Sequence, residues 1–268
     1  MKTRLYAKCV SFIRHLLLCF FITVTGLLFF PETSLACELK IGWEPWPPYQ
    51  FRDDKGNVTG LDVDLITSTM KGSGCKLIFF EIEWKAHLKR MASGFLDVAL
   101  AASYTKERQK FGYYSDPYRE EVVRLYVRKG EAKIFNFKTL ADIVHYRFIL
   151  GITSANYYGE EFEKLKANKE FAKHLEPVRS DERNILKIKE RRIDGFLMDP
   201  FVVTGFIRSK KFDNPVEELP LEVYSCDIHA LFSRVSVNPG VVQMFNQGLS
   251  EIKATGEYQT IVNRYLDH

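Results

Sequence analysis

No Cys-x-x-Cys pair occurs in the 268 residues, and the six histidines are scattered rather than clustered. The spacings that usually mark a metal site are therefore missing, and no cofactor is expected. Gly-x-Ser-x-Gly, His-Glu-x-x-His and P-loop patterns are absent as well, which removes the common sequence signatures of hydrolases, zinc proteases and nucleotide enzymes. No low-complexity segment interrupts the chain. Charge of one sign is scarce too. The formal net charge is +4, but residues 1–36 carry Lys2, Arg4, Lys8 and Arg14 against Glu32, so the remainder is left at +1. A near-neutral body gives no reason to expect nucleic acid as a partner.

The one long apolar run lies at the start. After the basic residues, Leu16 to Phe30 is broken only by Thr23, Thr25 and Gly26, and Pro31 and the small-residue site Ser34-Leu35-Ala36 follow. A run of about 15 residues is short for a membrane span, and its proline and cleavage-like end read as a secretory signal over residues 1–36. The mature chain is then exported. Cys37 would become its first residue and could be lipid-modified. Ser34 stands where bacterial lipoprotein signals carry leucine, which speaks against that.

Removal of the signal takes Cys9 and Cys19 with it and leaves Cys37, Cys75 and Cys226, an odd number in an oxidising compartment. Cys37 opens the first expected strand and Cys75 the second. In a β-α-β unit these strands are neighbours and start at the same end, so the geometry allows a Cys37–Cys75 disulfide, which lipidation of Cys37 would preclude, with Cys226 left as a buried thiol.

Over all 268 residues the 46% hydrophobic, 14% aromatic composition is that of a globular chain with a high aromatic share. Leu39 to Gly42 reads as a strand, followed by the rigid loop Trp43-Glu44-Pro45-Trp46-Pro47-Pro48-Tyr49. Leu61 to Met70 reads as a helix with Asp62 and Asp64 in its first turn, where the macrodipole favours acids. A strand from Cys75 to Ile82, a helical stripe of Trp84, Leu88 and Met91, and a third strand from Asp97 to Ala101 follow. That strand delivers Ser103-Tyr104-Thr105-Lys106-Glu107-Arg108 to the end of the sheet where open α/β folds place their ligands. Arg108 is a candidate carboxylate anchor, because a guanidinium offers a planar fork of donors; the alternative is a surface arginine after a turn, paired with Glu107 or Asp116. The β/α rhythm then repeats. Thr139 to Ile143 reads as a short helix and Arg147 to Gly151 as a strand. Asp181 reads as a helix cap, and Gly195 to Met198 as a buried strand before Asp199-Pro200. Two helical stripes close the chain: Val241, Phe245, Leu249 and Ile252, then Tyr258, Ile261, Val262, Tyr265 and Leu266.

Several of these stretches together resemble the bacterial extracellular solute-binding proteins of family 3, the polar-amino-acid-binding components of ABC importers. They are Ile41 to Tyr49, Gly60-Leu61-Asp62-Val63-Asp64-Leu65, Trp84 with Gly94 and Asp97, Ser103 to Arg108, Ser115-Asp116-Pro117-Tyr118, Tyr158 to Phe162, and Asp194 to Asp199. The resemblance implies a two-lobed periplasmic-binding-protein clamshell. Each lobe is a mainly parallel sheet flanked by helices, and two extended strands near 124–128 and 220–224 form the hinge. The lobes would be 37–126 plus 222–268, and 127–221.

The resemblance also implies a site and a role. Arg108 grips an α-carboxylate with help from Ser103, and Asp199 takes the α-ammonium from the opposite lobe. Trp46 and Trp84 sandwich the side chain, Glu44 offers a polar contact, and Asn156 and Tyr157 contribute from the second lobe. Ala155 stands where the family usually has glycine, and Lys89 where it often has proline. The expected function is non-catalytic capture of a small amino acid or related carboxylate-bearing solute in the periplasm, by a monomer that presents it to a membrane permease. Two alternatives share the fold: a cyclohexadienyl-dehydratase-like enzyme, and a ligand sensor serving a separate membrane signalling partner.

Overall fold

A computed structural model describes residues 37–209 and 213–266, so the signal-like stretch over 1–36 lies outside the described residues. Strand β1 (Glu38–Trp43) buries Leu39, Ile41 and Trp43 at alternate positions, the period of a strand. After a short hairpin of β2 (Phe51–Arg52) and β3 (Val58–Thr59), helix α1 (Leu61–Thr69) leads into β4 (Lys76–Glu81), which pairs parallel to β1. Helix α2 (Trp84–Ala92) then leads into β5 (Val98–Ser103), parallel to β1 on its other side. Cys37 and Cys75 are both disulfide-bonded, and Cys226 is free but half-buried rather than buried, since it lies on the strand crossing between the wings.

The second wing repeats the arrangement. Helix α3 (Lys106–Gln109) and β6 (Gly112–Tyr114) precede the ten-residue β7 (Arg119–Arg128). Beyond it, β8 (Leu150–Thr153), α4 (Glu160–Ala167), α5 (Lys169–Ala172), β9 (Leu175–Val178), α6 (Asp181–Lys189), β10 (Gly195–Met198) and α7 (Pro200–Ser209) follow. β8 pairs parallel to both β9 and β10. The short helix expected at Thr139 is a 3-10 turn over Leu140–Val144, with Thr139 and Asp142 forming a capping box. Phe148, Phe162, Phe171 and Leu197 fill this wing's core.

The two wings share one sheet rather than two separate ones. The 18-residue β11 (Val216–Ser233) pairs antiparallel with β7 over Val216–Glu218 and again over Tyr224–Ile228, and continues along β5 and β6. The order is β4-β1-β5-β11-β7-β10-β8-β9, with β6 also on β11. β7 and β11 are long enough to serve both wings, and their antiparallel pairing joins two parallel triplets. The register between them slips between Glu218 and Glu222 and again before Tyr224, so the ladder is weakest where the chain passes from one wing to the other.

The chain ends on the first wing. Helix α8 (Pro239–Ala254) starts with Asn238 accepting from the Gly240 N–H and with Pro239 in its first turn. It buries Val242, Phe245, Leu249 and Ile252; Val242 takes the inward position that the sequence pattern assigned to Val241. Gly248 lies so close to α1 that a Cβ there would stand 2.0 Å from the Thr69 carbonyl oxygen. In helix α9 (Glu257–Leu266), the Tyr265 hydroxyl donates to Asp64 at 2.7 Å. Among the described residues no helix is long and apolar enough to cross a membrane.

Candidate functional site

The carboxyl ends of β1 and β5 open onto a cavity lined from both wings. Glu44, Trp46, Trp84, Ser103 and Arg108 come from the first wing, and Asn156, Tyr157, Tyr158 and Asp181 from the second. Glu121 and Val123 line it from the crossing strand β7. The cavity volume is about 60 Å³, so the walls stand close together.

Arg108 sits in the four-residue α3, whose N-cap Thr105 accepts from the Arg108 N–H at 3.1 Å. That cap turns the side chain back under the end of β5. Arg108 is 6% exposed. Its Nη1 donates to the Ser103 carbonyl at 3.0 Å and its Nη2 to the Ala155 carbonyl at 2.9 Å, and its guanidinium carbon lies 5.3 Å from the Trp84 ring. Burial pushes its pKa down from the ordinary arginine value, and among the described residues no carboxylate bonds to it.

The aromatic walls are fixed from behind. Trp84 opens α2, and its indole N–H donates to the Ala155 carbonyl at 3.3 Å. His87, one turn on, meets the Trp84 ring edge-on at 5.5 Å and bonds the Val98 carbonyl at 3.0 Å. Burial pushes His87 down to about 4, so it is neutral at pH 7 and its ring N–H is the donor. Glu44 accepts from the Trp84 backbone N–H at 3.0 Å, an acid at a helix start. Trp46 donates its indole N–H to Asp181 at 2.8 Å and packs on Tyr49 at 4.7 Å. Together with the bonds from Arg108 and Trp84 to Ala155, this contact ties the two wings across the cavity. A fourth tie lies at Gly205, where a Cβ would stand 2.3 Å from the Pro47 carbonyl. Only glycine lets α7 approach that loop so closely.

Ala155 carries the carbonyl on which Arg108 and Trp84 converge, and its φ is 70°, the left-handed region that favours glycine. Ala101, on the opposite lining, has φ 60° and gives its N–H to the Tyr118 hydroxyl at 2.9 Å. Non-glycine residues in this region are held there by their surroundings at some energetic expense, and both occur beside the cavity.

Asp199 does not line this cavity. Its carboxylate caps α7, accepting from the Phe201 and Val202 N–H groups at 2.8 and 3.2 Å, and takes a 3.3 Å bond from the Tyr49 hydroxyl. The acid facing the cavity from the second wing is Asp181. The expected cap role passes to Ser180, which occupies the N-cap position, and Asp181 becomes the first residue of α6. Its carboxylate accepts from Trp46 and from the Thr153 hydroxyl, and Thr153 is braced in turn by Asn184. Glu121 is the other acid that the sequence pattern did not single out. Glu120 and Glu121 sit in a strand where charge usually faces water. Their alternation is the available signal, since it turns Glu121 to the same face as Val123.

The cavity is short of positive charge. Glu44 is raised to about 8 by burial and by Asp181, against the bond from Trp84. Glu121 is raised to about 8 by burial, with Arg119 opposing and Asp199, Asp181 and Asp62 reinforcing. Asp181 is raised by burial, against its bonds from Thr153 and Trp46. Arg108 is the one arginine or lysine among the described lining residues. Among the described residues no set of three His, Cys, Asp or Glu side chains converges to hold a metal.

A family model for bacterial extracellular solute-binding proteins, family 3, matches residues 39–268. A probable histidine-binding protein of Campylobacter jejuni is 26% identical over 87% of this chain and 87% of its own. An arginine-binding periplasmic protein of Mannheimia haemolytica is 24% identical over 91% of this chain and 98% of its own. A cyclohexadienyl dehydratase of Pseudomonas aeruginosa matches only 37% of this chain and 36% of its own, at 29% identity. Among solved structures, an ancestral arginine-binding protein bound to arginine superposes with a TM-score of 0.74, at 23% identity, over 85% of this chain and 98% of that one. The fold is therefore that of the periplasmic binding proteins.

Proposed function

The chain belongs to the bacterial extracellular solute-binding proteins, family 3, and on that footing we propose that it captures an L-amino acid between two closing lobes and presents it to an ABC permease. The observation that carries this reading is Arg108: buried, backed by Trp84, and bonded among the described residues by carbonyls alone. A neutral carbonyl is a weaker partner for a guanidinium than a carboxylate is. An α-carboxylate entering the cleft takes the place of the Ala155 carbonyl at Nη2 and restores the missing negative charge. Asp181, reaching from the second wing, receives the α-ammonium, which moves this role from Asp199 to an acid that faces the cavity. A zwitterion bound this way engages a cation on one lobe and an acid on the other, so only closure satisfies both ends.

The lobes in this reading are 37–126 plus 222–268, and 127–221, hinged where β7 and β11 lose register. Residues 1–36 act as the export signal and the periplasm is the working compartment.

Thermal melting and calorimetry with the twenty L-amino acids test the reading. A ligand at 100 times its Kd stabilises the folded state by about 2.7 kcal/mol. At least one amino acid is expected to raise the Tm and to give saturable heat at one site per chain. A panel in which none does either refutes the proposal.

A further inference from the structure

Resting on that reading, we propose that Glu121 reads the ligand's side chain and selects an amino acid whose side chain ends in a cation: a guanidinium, an ammonium or an imidazolium.

The assignment follows from which acids are already engaged. The α-carboxylate uses Arg108 and the α-ammonium uses Asp181, and this leaves Glu44 and Glu121 facing whatever the side chain brings. Glu44 has one oxygen on the Trp84 N–H. Glu121 has none so engaged: among the described residues no hydrogen bond or ion pair reaches its carboxylate, although it lines the cavity. An ionised carboxylate has about four lone-pair positions, so Glu121 can receive a forked guanidinium or a single N–H. It stands on the crossing strand, register partner of Cys226 on β11, and so at the back of the cleft between the lobes. The lining adds the rings of Trp46, Trp84 and Tyr157, flat faces over which a cation is held more firmly than a neutral group. A neutral side chain in this place gives these two half-buried acids no partner from the ligand.

The charges around Glu121 set the pH behaviour. Arg119 lies on its own strand, and Tyr224 and Cys226 on β11 beside it. Arg108 faces it from α3, Asp62 from α1, Asp181 from α6, and Asp199 from the start of α7. Tyr49, Tyr157 and Tyr158 complete the surroundings. Burial with these acids nearby pushes Glu121 up to about 8, so it is mostly protonated at pH 7 without ligand. A cation beside it favours the charged form, so binding expels a proton. Affinity for a guanidinium or ammonium ligand therefore rises with pH up to about 8 and levels off above, whereas an imidazolium loses its own charge through about pH 6.5.

Calorimetry on the mature chain with L-arginine and its neutral near-isostere L-citrulline, with L-lysine and L-norleucine, and with L-histidine tests this. Titrations run from pH 6 to 8.5 in two buffers of different ionisation enthalpy, so that released protons are counted. At least one cationic amino acid is expected to bind roughly 30-fold or more tightly than the neutral compounds, and to release protons at pH 7. Glu121→Gln is expected to cut that preference about tenfold and to lower the proton count, with neutral ligands changed less than about threefold. Equal binding of cationic and neutral ligands by the wild-type protein overturns the proposal without any variant, and so does binding without proton release. Loss of the preference in Glu44→Gln but not in Glu121→Gln also overturns it. If neutral L-amino acids bind and cationic ones do not, this inference falls while amino-acid capture stands; if no L-amino acid binds, both fall.

Discussion

Two arginines in this protein are buried to nearly the same degree, Arg108 at 6% and Arg119 at 8% exposed, and they are held in opposite ways. Arg119 forks onto Asp62, Nε to Oδ1 at 2.8 Å and Nη2 to Oδ2 at 3.3 Å, with its guanidinium carbon 3.8 Å from the Tyr49 ring centroid. It also lies within 5.3 Å of Trp46 and 5.8 Å of Tyr118. Burial opposes its charge, but Asp62 together with Tyr49 and Tyr118 raises Arg119 well above the ordinary value, whereas burial lowers Arg108. One charge is neutralised inside the fold and props the Trp46–Tyr49 loop from behind. The other is buried with Glu121 near it but, among the described residues, with no carboxylate bonded to it. A guanidinium completed by its own protein is a structural part, and one completed by carbonyls alone has affinity to spare for an anion.

The largest expected effect tests that contrast on folding. Arg119→Met leaves Asp62 buried and uncompensated and should lower stability by about 3–5 kcal/mol in urea titrations. Arg108→Met removes a charge with no buried acid bonded to it and should change ligand-free stability by less than about 1 kcal/mol. Equal losses would erase the distinction. On binding the order reverses: Arg108→Ala should weaken the best amino-acid ligand by roughly 2–4 kcal/mol in calorimetry.

A pH effect sharpens the same picture from the acidic side. Glu44 and Glu121 move from an ordinary 4.5 to about 8 in the folded protein, so the folded state holds these protons more tightly than the unfolded chain does. Their contribution to ligand-free stability is full below about pH 4.5 and is lost as the pH rises through about 8. Denaturation series at pH 5, 7 and 9 should show that decline, and Glu121→Gln should flatten it. The smallest effect concerns the two second-wing acids. Asp199→Asn should change stability by at most about 1 kcal/mol, as a cap substitution, and leave affinity within twofold. Asp181→Asn should weaken the amino acid about tenfold or more.

Much of this architecture is legible in the sequence, because the β/α rhythm and the helical stripes at 239–266 follow simple periods. The Trp46 loop, the Trp84 helix start and the Ser103–Arg108 turn are legible for a related reason: each lies at the end of a strand whose place in the sheet can be counted off. Asp199 illustrates the limit. An acid before proline at a helix start has a complete local explanation as a cap, and in the fold that explanation describes it, with its bonds to Phe201 and Val202. Asp181 is likewise an acid at a helix start and yet faces Trp46, because its direction depends on how the two wings come together. Glu121 is hidden for a similar reason. Which face of β7 looks into the cavity is decided by the pairing of β7 with β11, about 100 residues further along the chain.

The central claim is that Arg108 receives the ligand's α-carboxylate. Calorimetry with each amino acid that binds, beside its α-carboxamide, on wild-type protein and on Arg108→Ala, tests it directly. The account predicts that amidation weakens binding to the wild-type protein by roughly 30-fold or more, and that this penalty nearly vanishes in the variant. Equal binding of acid and amide by the wild-type protein, or a penalty that survives in Arg108→Ala, would contradict it.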